Sequence, residues 1–186
     1  KAAGKPIYEL LGGATRDSIQ VYNTCAGPDY VSQSADVRPD NFGLSGGERK
    51  DFQDLGAFLN HADELAADLL EMGIASMKIW PFDFADGAAD GMDISNADLK
   101  KALEPFEKIR AAHGDRMRIK AELHGLWSLP AAKKIAAALE PIGADWIEDP
   151  IWMDRMAEIG ELVSSTGQPI AGGETLGGLG QVRDLL

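Results

Sequence analysis

The chain has 186 residues, of which 45% are hydrophobic, so it is long and apolar enough to fold around a core. Its 18 basic and 30 acidic side chains give a formal net charge of -12, which argues against a nucleic-acid partner because phosphate binding needs concentrated Lys and Arg. No apolar run approaches the roughly 18 residues of a membrane-spanning helix. The single cysteine, Cys25, excludes an internal disulfide and fits a reducing compartment. These features predict a cytoplasmic protein without a membrane or nucleic-acid partner.

Short β-rich runs alternate along the chain with longer amphipathic segments. The predicted strands cover residues 18–24, 74–80, 117–122, 144–148 and 169–174. The predicted helices cover residues 53–72, 96–113, 129–140 and 154–166, and a further helix begins near Leu179. Because strands that alternate with helices need crossover connections, this order predicts βα units around a parallel sheet, which is an α/β fold.

Two long loops interrupt this alternation. Residues 26–51 are rich in Gly, Ser, Asp and Pro, and residues 81–95 combine small with acidic side chains. Long loops inside a compact domain are often lids or binding loops, but a surface insertion that the fold tolerates explains them equally well. The sequence leaves both interpretations open.

Three glutamates recur at equal spacing. Glu122, Glu148 and Glu174 each end a predicted strand and follow one another at intervals of 26 residues. In a parallel βα array one unit advances the chain by roughly 30 residues, so this spacing predicts three carboxylates at one height along the carboxyl edge of the sheet. Such carboxylates repel one another unless a cation compensates them, and oxygen ligands suit Mg²⁺. Alternatively, each glutamate only stabilises the N-terminus of the next helix, although that would not require equal spacing.

Two further side chains lie near this predicted edge. Lys78, on the second predicted strand, shares its parity with Ser76 and Trp80, so the three face one side of the sheet. A nearby cation would lower its pKa, which makes Lys78 a candidate proton acceptor or substrate-carboxylate contact, with a solvent-exposed structural lysine as the simpler interpretation. His124 follows Glu122 by two residues and points the same way, as a candidate proton donor, hydroxyl contact or packing residue.

Five segments form an ordered set along the chain. They are Lys5-Pro-Ile-Tyr-Glu-Leu-Leu-Gly-Gly13, Met77-Lys-Ile-Trp-Pro-Phe-Asp83, Ala121-Glu-Leu-His-Gly-Leu-Trp127, Trp146-Ile-Glu-Asp-Pro150 and Ile170-Ala-Gly-Gly-Glu174. Together they resemble the enolase superfamily and, within it, the mandelate racemase/muconate lactonizing enzyme group. The resemblance implies a (β/α) TIM-type barrel, with about the first five βα units of a modified (β/α)7β barrel in this chain.

The resemblance also implies a domain division. Residues 1–17 would be the tail of a capping region or a linker, and residues 18–186 a partial barrel that forms the catalytic domain. Members of this group carry an N-terminal capping domain, mostly absent here, and three further strands, so we expect the sequence to be a part of a longer protein. Full-length members are commonly homo-oligomers, and we expect the same of this one.

Site residues follow from the resemblance position by position. The implied Mg²⁺ ligands are Glu122, Glu148 and Glu174, with Mn²⁺ as an alternative ion. The implied catalytic residues are Lys78 and His124. Lys78 matches the first lysine of the family's Lys-x-Lys motif, whereas Trp80 occupies the place of the second lysine, which is often the base. The assigned substrate contacts are Asn23, Trp80 and Trp127.

The resemblance implies Mg²⁺-dependent abstraction of the proton α to a carboxylate through a metal-stabilised ene-diolate. Loss of water from an acid sugar is the reaction that we expect to follow. One alternative is a racemase or epimerase of a 2-hydroxy acid or amino-acid derivative, which Trp80 disfavours because such enzymes need bases on both faces of the substrate. The other is a non-catalytic truncated member or binding module. In the catalytic cases the partner is a small-molecule carboxylate.

Overall fold

The computed structural model of the protein describes residues 2–26 and 54–186. Four parallel strands form one sheet in chain order: β1 (Ser76–Ile79), β2 (Arg118–Glu122), β3 (Ile147–Glu148) and β4 (Ile170–Ala171). The α-helices of the described residues are α1 (Ile7–Leu10), α2 (Asp54–Asn60), α3 (Ala62–Glu71), α4 (Asn96–His113), α5 (Leu129–Leu139), α6 (Met156–Ser165) and α7 (Leu179–Leu185). This alternation confirms the α/β fold and the parallel sheet.

Of the two predicted loops, the structure describes almost only the second. Almost all of the predicted loop over residues 26–51 lies outside the described residues. The second predicted loop, over residues 81–95, contains two short 3-10 turns, Pro81–Phe84 and Asp86–Ala89. Pro81 closes β1 because proline cannot donate to a strand ladder, and its fixed φ suits the first position of a helical turn.

The register of the sheet decides which side chains meet at its carboxyl edge. Glu122 on β2 is the register partner of Glu148 on β3, so these two carboxylates lie side by side. The partner of Glu148 on β4 is Ala171, three residues before Glu174. The 26-residue spacing therefore aligns the first two glutamates but not the third.

The strand predicted over residues 18–24 does not form. Only Asn23 pairs with the sheet, through an isolated parallel bridge to Met77. The Asn23 side chain accepts a hydrogen bond from the backbone N–H of Cys25 at 2.7 Å, and Cys25 has a φ of +54°. This local turn takes the chain away from β1 after one residue, because an Asn side chain that bonds its own backbone competes with strand pairing.

Helix α4 coincides with its predicted range because both of its ends carry sequence signals. The Oγ atom of Ser95 accepts a hydrogen bond from the backbone N–H of Asp98 at 3.0 Å, and Gly114 ends the helix with a φ of +55°. The helix predicted over residues 53–72 is instead two helices, α2 and α3, separated at His61, whose φ of -136° is not helical.

Removing the Ser95 cap is expected to destabilise the chain. In Ser95→Ala the Asp98 N–H loses its acceptor, so we expect the free energy of unfolding to fall by about 1 kcal/mol. Urea denaturation measures this change, and Ser95→Thr, which keeps a capping hydroxyl, should retain most of the stability. Equal losses in the two variants would contradict a capping role.

Hydrophobic side chains of the helices and of the sheet form one core. Five charged residues of the described chain are nevertheless buried: Lys78, Asp83, Lys120, Glu122 and Asp149. Because buried charges are costly unless they are paired, each of these residues needs a partner of opposite charge or a hydrogen bond. None of the helices in the described part of the chain combines the length and the apolar composition that crossing a bilayer requires.

Candidate active site

A buried ammonium group joins two carboxylates at the carboxyl edge of the sheet. Lys78 of β1 donates to Glu122 Oε2 at 2.7 Å and also to Glu148 Oε1. The indole Nε1–H of Trp146 donates to the other oxygen of Glu148 at 2.8 Å. Lys78 and Glu122 are only 7% and 3% exposed, so their charges compensate each other away from water. The structure thus brings three of the predicted site residues together.

The charges in this cluster shift one another's titration. Burial alone would lower the pKa of Lys78, but its hydrogen bonds to Glu122 and Glu148 outweigh burial and raise the pKa. Burial alone would raise the pKa of Glu148, but the hydrogen bonds from Lys78 and Trp146 outweigh it and lower the pKa. Burial raises the pKa of Glu122. In this arrangement Lys78 is held as a cation, and its expected role as a proton acceptor beside a bound metal ion stays a prediction.

Glu174 does not share the register of the other two glutamates. Strand β4 ends at Ala171, Gly173 has a φ of +107°, and Glu174 is exposed. The Oδ1 atom of buried Asp149 accepts a hydrogen bond from the Gly173 N–H at 3.0 Å and so ties this turn to the end of β3. The glycines release the chain from the ladder before Glu174 is reached, because they adopt backbone conformations that other residues avoid.

His124 lies next to the Lys78 cluster and has a partner that the sequence did not suggest. Its Nδ1 is 2.6 Å from Oδ2 of Asp83, whose side chain is 1% exposed, and its backbone N–H donates to Glu122 Oε1 at 3.0 Å. Burial would lower the pKa of His124, but the hydrogen bond and charge of Asp83 outweigh it and raise the pKa. Burial raises the pKa of Asp83. His124 is therefore placed to carry a proton close to the two carboxylates.

Trp80, one of the assigned substrate contacts, adjoins His124. The two rings meet edge to face with centroids 5.4 Å apart, and Trp80 also packs against Phe58 and Phe84. Trp80 is 1% exposed, so its position beside His124 is that of a wall of the site. An indole offers no basic nitrogen, which leaves this position without the second lysine of the family motif.

Asn23 and Trp127 lie in other surroundings. The Asn23 amide donates to Asp54 Oδ2 at 2.8 Å, and its side-chain oxygen accepts from the Cys25 N–H. Trp127 is buried in the hydrophobic core, and within the described part of the chain its indole Nε1 has no hydrogen-bond partner. These contacts assign structural surroundings to both residues, and their roles as substrate contacts stay predictions.

A second buried lysine lies beside the first, on the neighbouring strand and on the same side of the sheet. Lys120, the register partner of Lys78, donates to Asp145 Oδ2 at 2.7 Å and to Ser76. Its Nζ atom also lies 4.5 Å from the ring centroid of Trp146 and 5.3 Å from that of Tyr22. Sequence analysis did not identify Lys120, although its two-residue offset from Glu122 would have placed it on the inner face.

The donor set at the strand ends fits a hard cation in part. Glu122 and Glu148 present carboxylate oxygens side by side and already hold one positive charge, and oxygen ligands are those that Mg²⁺ prefers. Residues 2–26 and 54–186 contain no group of three or more His, Cys, Asp or Glu arranged to hold a metal ion. The pair thus fits two ligand positions, and the assignment of Glu174 as a third ligand stays a prediction.

Comparison with known proteins identifies the family. Residues 61–186 match the family described as enolase C-terminal domain-like. The chain belongs to this family. An enolase of the mandelate racemase subgroup from Agrobacterium tumefaciens superposes on this enolase C-terminal domain-like chain with a TM-score of 0.76 at 41% identity, covering 99% of this chain and 40% of that structure. The membership confirms the resemblance and the barrel-like α/β fold, whereas the count of five βα units is not confirmed.

Curated relatives of this enolase C-terminal domain-like chain are named as sugar-acid dehydratases. A D-galactonate dehydratase of Ralstonia nicotianae is 30% identical over 176 residues, covering 95% of this chain and 37% of the relative. A D-gluconate dehydratase of Thermoproteus tenax is 30% identical over 173 residues, covering 93% of this chain and 29% of the relative. The chain therefore spans about a third of the length of these relatives. The domain division at residue 17 stays a prediction.

Proposed function

We propose that the protein containing this chain is a Mg²⁺-dependent lyase that dehydrates an acid sugar. The observation that carries the proposal is the register pairing of Glu122 with Glu148 around a buried cation at the carboxyl edge, where barrels of this kind keep their chemistry. The sugar-acid dehydratase names of the relatives support the substrate class. A small-molecule carboxylate is therefore the proposed partner.

The metal ligands in this proposal are Glu122 and Glu148, with Glu174 as the third and Mn²⁺ as an alternative ion. When bound, the ion would supply a Lewis acid for the substrate carboxylate. Because Lys78 contacts both glutamates, its ammonium group compensates one of their two negative charges. A carboxylate substrate at the same edge would meet this fixed positive charge.

In the proposed reaction His124 protonates the departing hydroxyl group. Dehydration removes the proton α to the carboxylate and the hydroxyl group at the β carbon, and the departing hydroxyl needs a proton to leave as water. His124 is held by Asp83 next to Glu122 and can supply that proton. Lys78, which is bonded as a cation to both glutamates, is the candidate acceptor of the α proton or a contact for the substrate carboxylate. The resulting enol becomes a 2-oxo acid.

The proposal is tested first by a calorimetric Mg²⁺ titration of the chain and of Glu148→Gln. Partners that only orient metal ligands change affinity by about 10–100-fold, so loss of a ligand should weaken Mg²⁺ binding by about 100-fold or more. The matched control is Glu107→Gln, an exposed glutamate of α4, which should bind like the wild type. Equal Mg²⁺ binding by wild type and Glu148→Gln would reject the ligand assignment.

The substrate class needs a separate measurement. We expect the protein that contains this chain, when it is incubated with D-galactonate or D-gluconate and Mg²⁺, to form a 2-oxo product. Reaction with semicarbazide detects this product. A racemase or epimerase would instead change optical rotation without forming a 2-oxo acid. Magnesium binding without turnover of any acid sugar would preserve the metal site and remove the dehydratase assignment.

A further inference from the structure

The contact between Asp83 and His124 joins residues 41 positions apart. Asp83 lies in the 3-10 turn Pro81–Phe84 that follows β1, and His124 lies just beyond the end of β2. The Asp83 Oδ2 atom is 2.6 Å from Nδ1 of the imidazole, and the edge-to-face contact with Trp80 restricts the ring on another side. The imidazole is thus held by a carboxylate and by an indole from the same loop.

This contact is energetically expensive for the fold. The Asp83 side chain is 1% exposed, and within the described part of the chain its second oxygen, Oδ1, has no hydrogen-bond partner. A buried acceptor left unsatisfied lowers the stability of the fold, because its desolvation is not repaid by a hydrogen bond. His124 has a φ of +48°, a conformation that costs a non-glycine residue free energy. Two unfavourable features at one contact are typical of a site kept for function.

We infer that Asp83 is the positioning residue of His124: its carboxylate accepts the Nδ1–H bond, fixes the Nδ1–H tautomer and assigns proton exchange with the substrate to Nε2. An ionised carboxylate can only accept hydrogen bonds, so the ring nitrogen that faces it must carry the hydrogen. A carboxylate behind a histidine fixes tautomer and orientation in this manner in other enzymes. The tautomer assignment stands by itself, whereas proton exchange with a substrate at Nε2 rests on the proposed function.

This arrangement fixes the ring nitrogen from which the proton leaves. Because Nδ1 stays bonded to Asp83 before and after transfer, the ring does not need to rotate or exchange tautomers during turnover. The backbone N–H of His124 is bonded to Glu122 Oε1, so the imidazole is also fixed relative to the carboxylate pair. A proton delivered from Nε2 therefore leaves a ring that is fixed relative to the two carboxylates.

The tautomer is measurable without any activity. In ¹⁵N spectra of the metal-free chain with the rings neutral, we expect His124 of the wild type to show a protonated Nδ1 and an unprotonated Nε2. Only two other histidines, His61 and His113, contribute signals, and His124→Gln identifies the resonances. In Asp83→Asn the amide can donate to Nδ1, so the population should move towards the Nε2–H tautomer. Asp86→Asn, an exposed residue of the next turn, is the control and should leave the spectrum unchanged.

Two results would overturn the inference. The first is an Nε2–H tautomer of His124 in the wild type, which needs no variant to fold. The second is an unchanged tautomer in folded Asp83→Asn. For a protein that turns over an acid sugar, Asp83→Asn should lower kcat by about 100-fold or more, the usual range for a positioned acid, with KM changed less than about 3-fold. Wild-type kcat in Asp83→Asn would overturn its catalytic half, whereas the expected tautomers without turnover in the wild type would reject the proposed function alone.

Discussion

Lys78→Met is expected to lower the free energy of unfolding by about 3–5 kcal/mol, because removal of one partner leaves buried carboxylates uncompensated. Glu122, which is 3% exposed, and the adjacent Glu148 would then face each other without a cation. The loss should grow as pH rises, because a buried glutamate with a raised pKa takes up its proton only at low pH. Urea denaturation between pH 5 and 8 measures both effects.

The double variant Lys78→Met/Glu122→Gln is the matched control for this prediction. Removing one negative charge together with the positive one should recover most of the lost stability. Added Mg²⁺ should raise the melting temperature of Lys78→Met more than that of the double variant, because the ion can replace the missing ammonium only where both carboxylates remain. A Lys78→Met chain as stable as the wild type throughout this pH range would contradict the compensating role of the lysine.

Asp145→Ala is expected to destabilise the chain by about 3 kcal/mol, since Lys120 would keep its charge at a 3% exposed position without its carboxylate. The estimate is at the low end for a broken buried pair because the hydroxyl of Ser76 and the two aromatic rings still contact the lysine. Asp115→Ala, in an exposed turn, should change stability little. Lys120→Met, which removes the buried cation, should cost less than Asp145→Ala.

The same carboxylate gives the stability of the chain an acid dependence. Burial would raise the pKa of Asp145, but its bonds to Lys120 and Arg118 outweigh burial and lower the pKa. The stabilisation is therefore complete above the ordinary aspartate pKa of about 3.9 and is lost as pH falls further through the folded-state value. We expect wild-type stability to decline more steeply below about pH 4 than that of Asp145→Ala. Parallel curves would show that this ion pair does not contribute.

The elements that sequence analysis predicted correctly are those with local signals. Helix α4 begins at the Ser95 cap and ends at Gly114, and both residue types mark such ends in any sequence. The strand predicted over residues 18–24 failed because Asn23 satisfies the backbone of Cys25 with its own side chain. The break at His61 between α2 and α3 had no such signal, since the apolar period continues through it.

The residues of the candidate site also differ in how far the sequence predicts their positions. Glu122 and Glu148 were predictable as neighbours because equal spacing becomes equal height when the strands are parallel and in register. Glu174 does not follow this rule because the two glycines before it turn the backbone. Equal spacing in the sequence therefore no longer gives equal height at the sheet edge. Asp83 could not be predicted as a partner of His124, because their contact depends on how two loops 41 residues apart fold together.

Trp146 is shared by the two lysine clusters. Its Nε1–H donates to Glu148 in the Lys78 cluster, and its ring face lies 4.5 Å from the ammonium of Lys120. Substitutions in the two clusters therefore act on a common neighbour, and the free-energy changes of Lys78→Met and Asp145→Ala should not simply add. Tyr22 also lies against both lysines, with its ring centroid 5.7 Å from Nζ of Lys78 and 5.3 Å from Nζ of Lys120. Through these two rings, the structural salt bridge of Lys120 becomes energetically coupled to the carboxylates of the site.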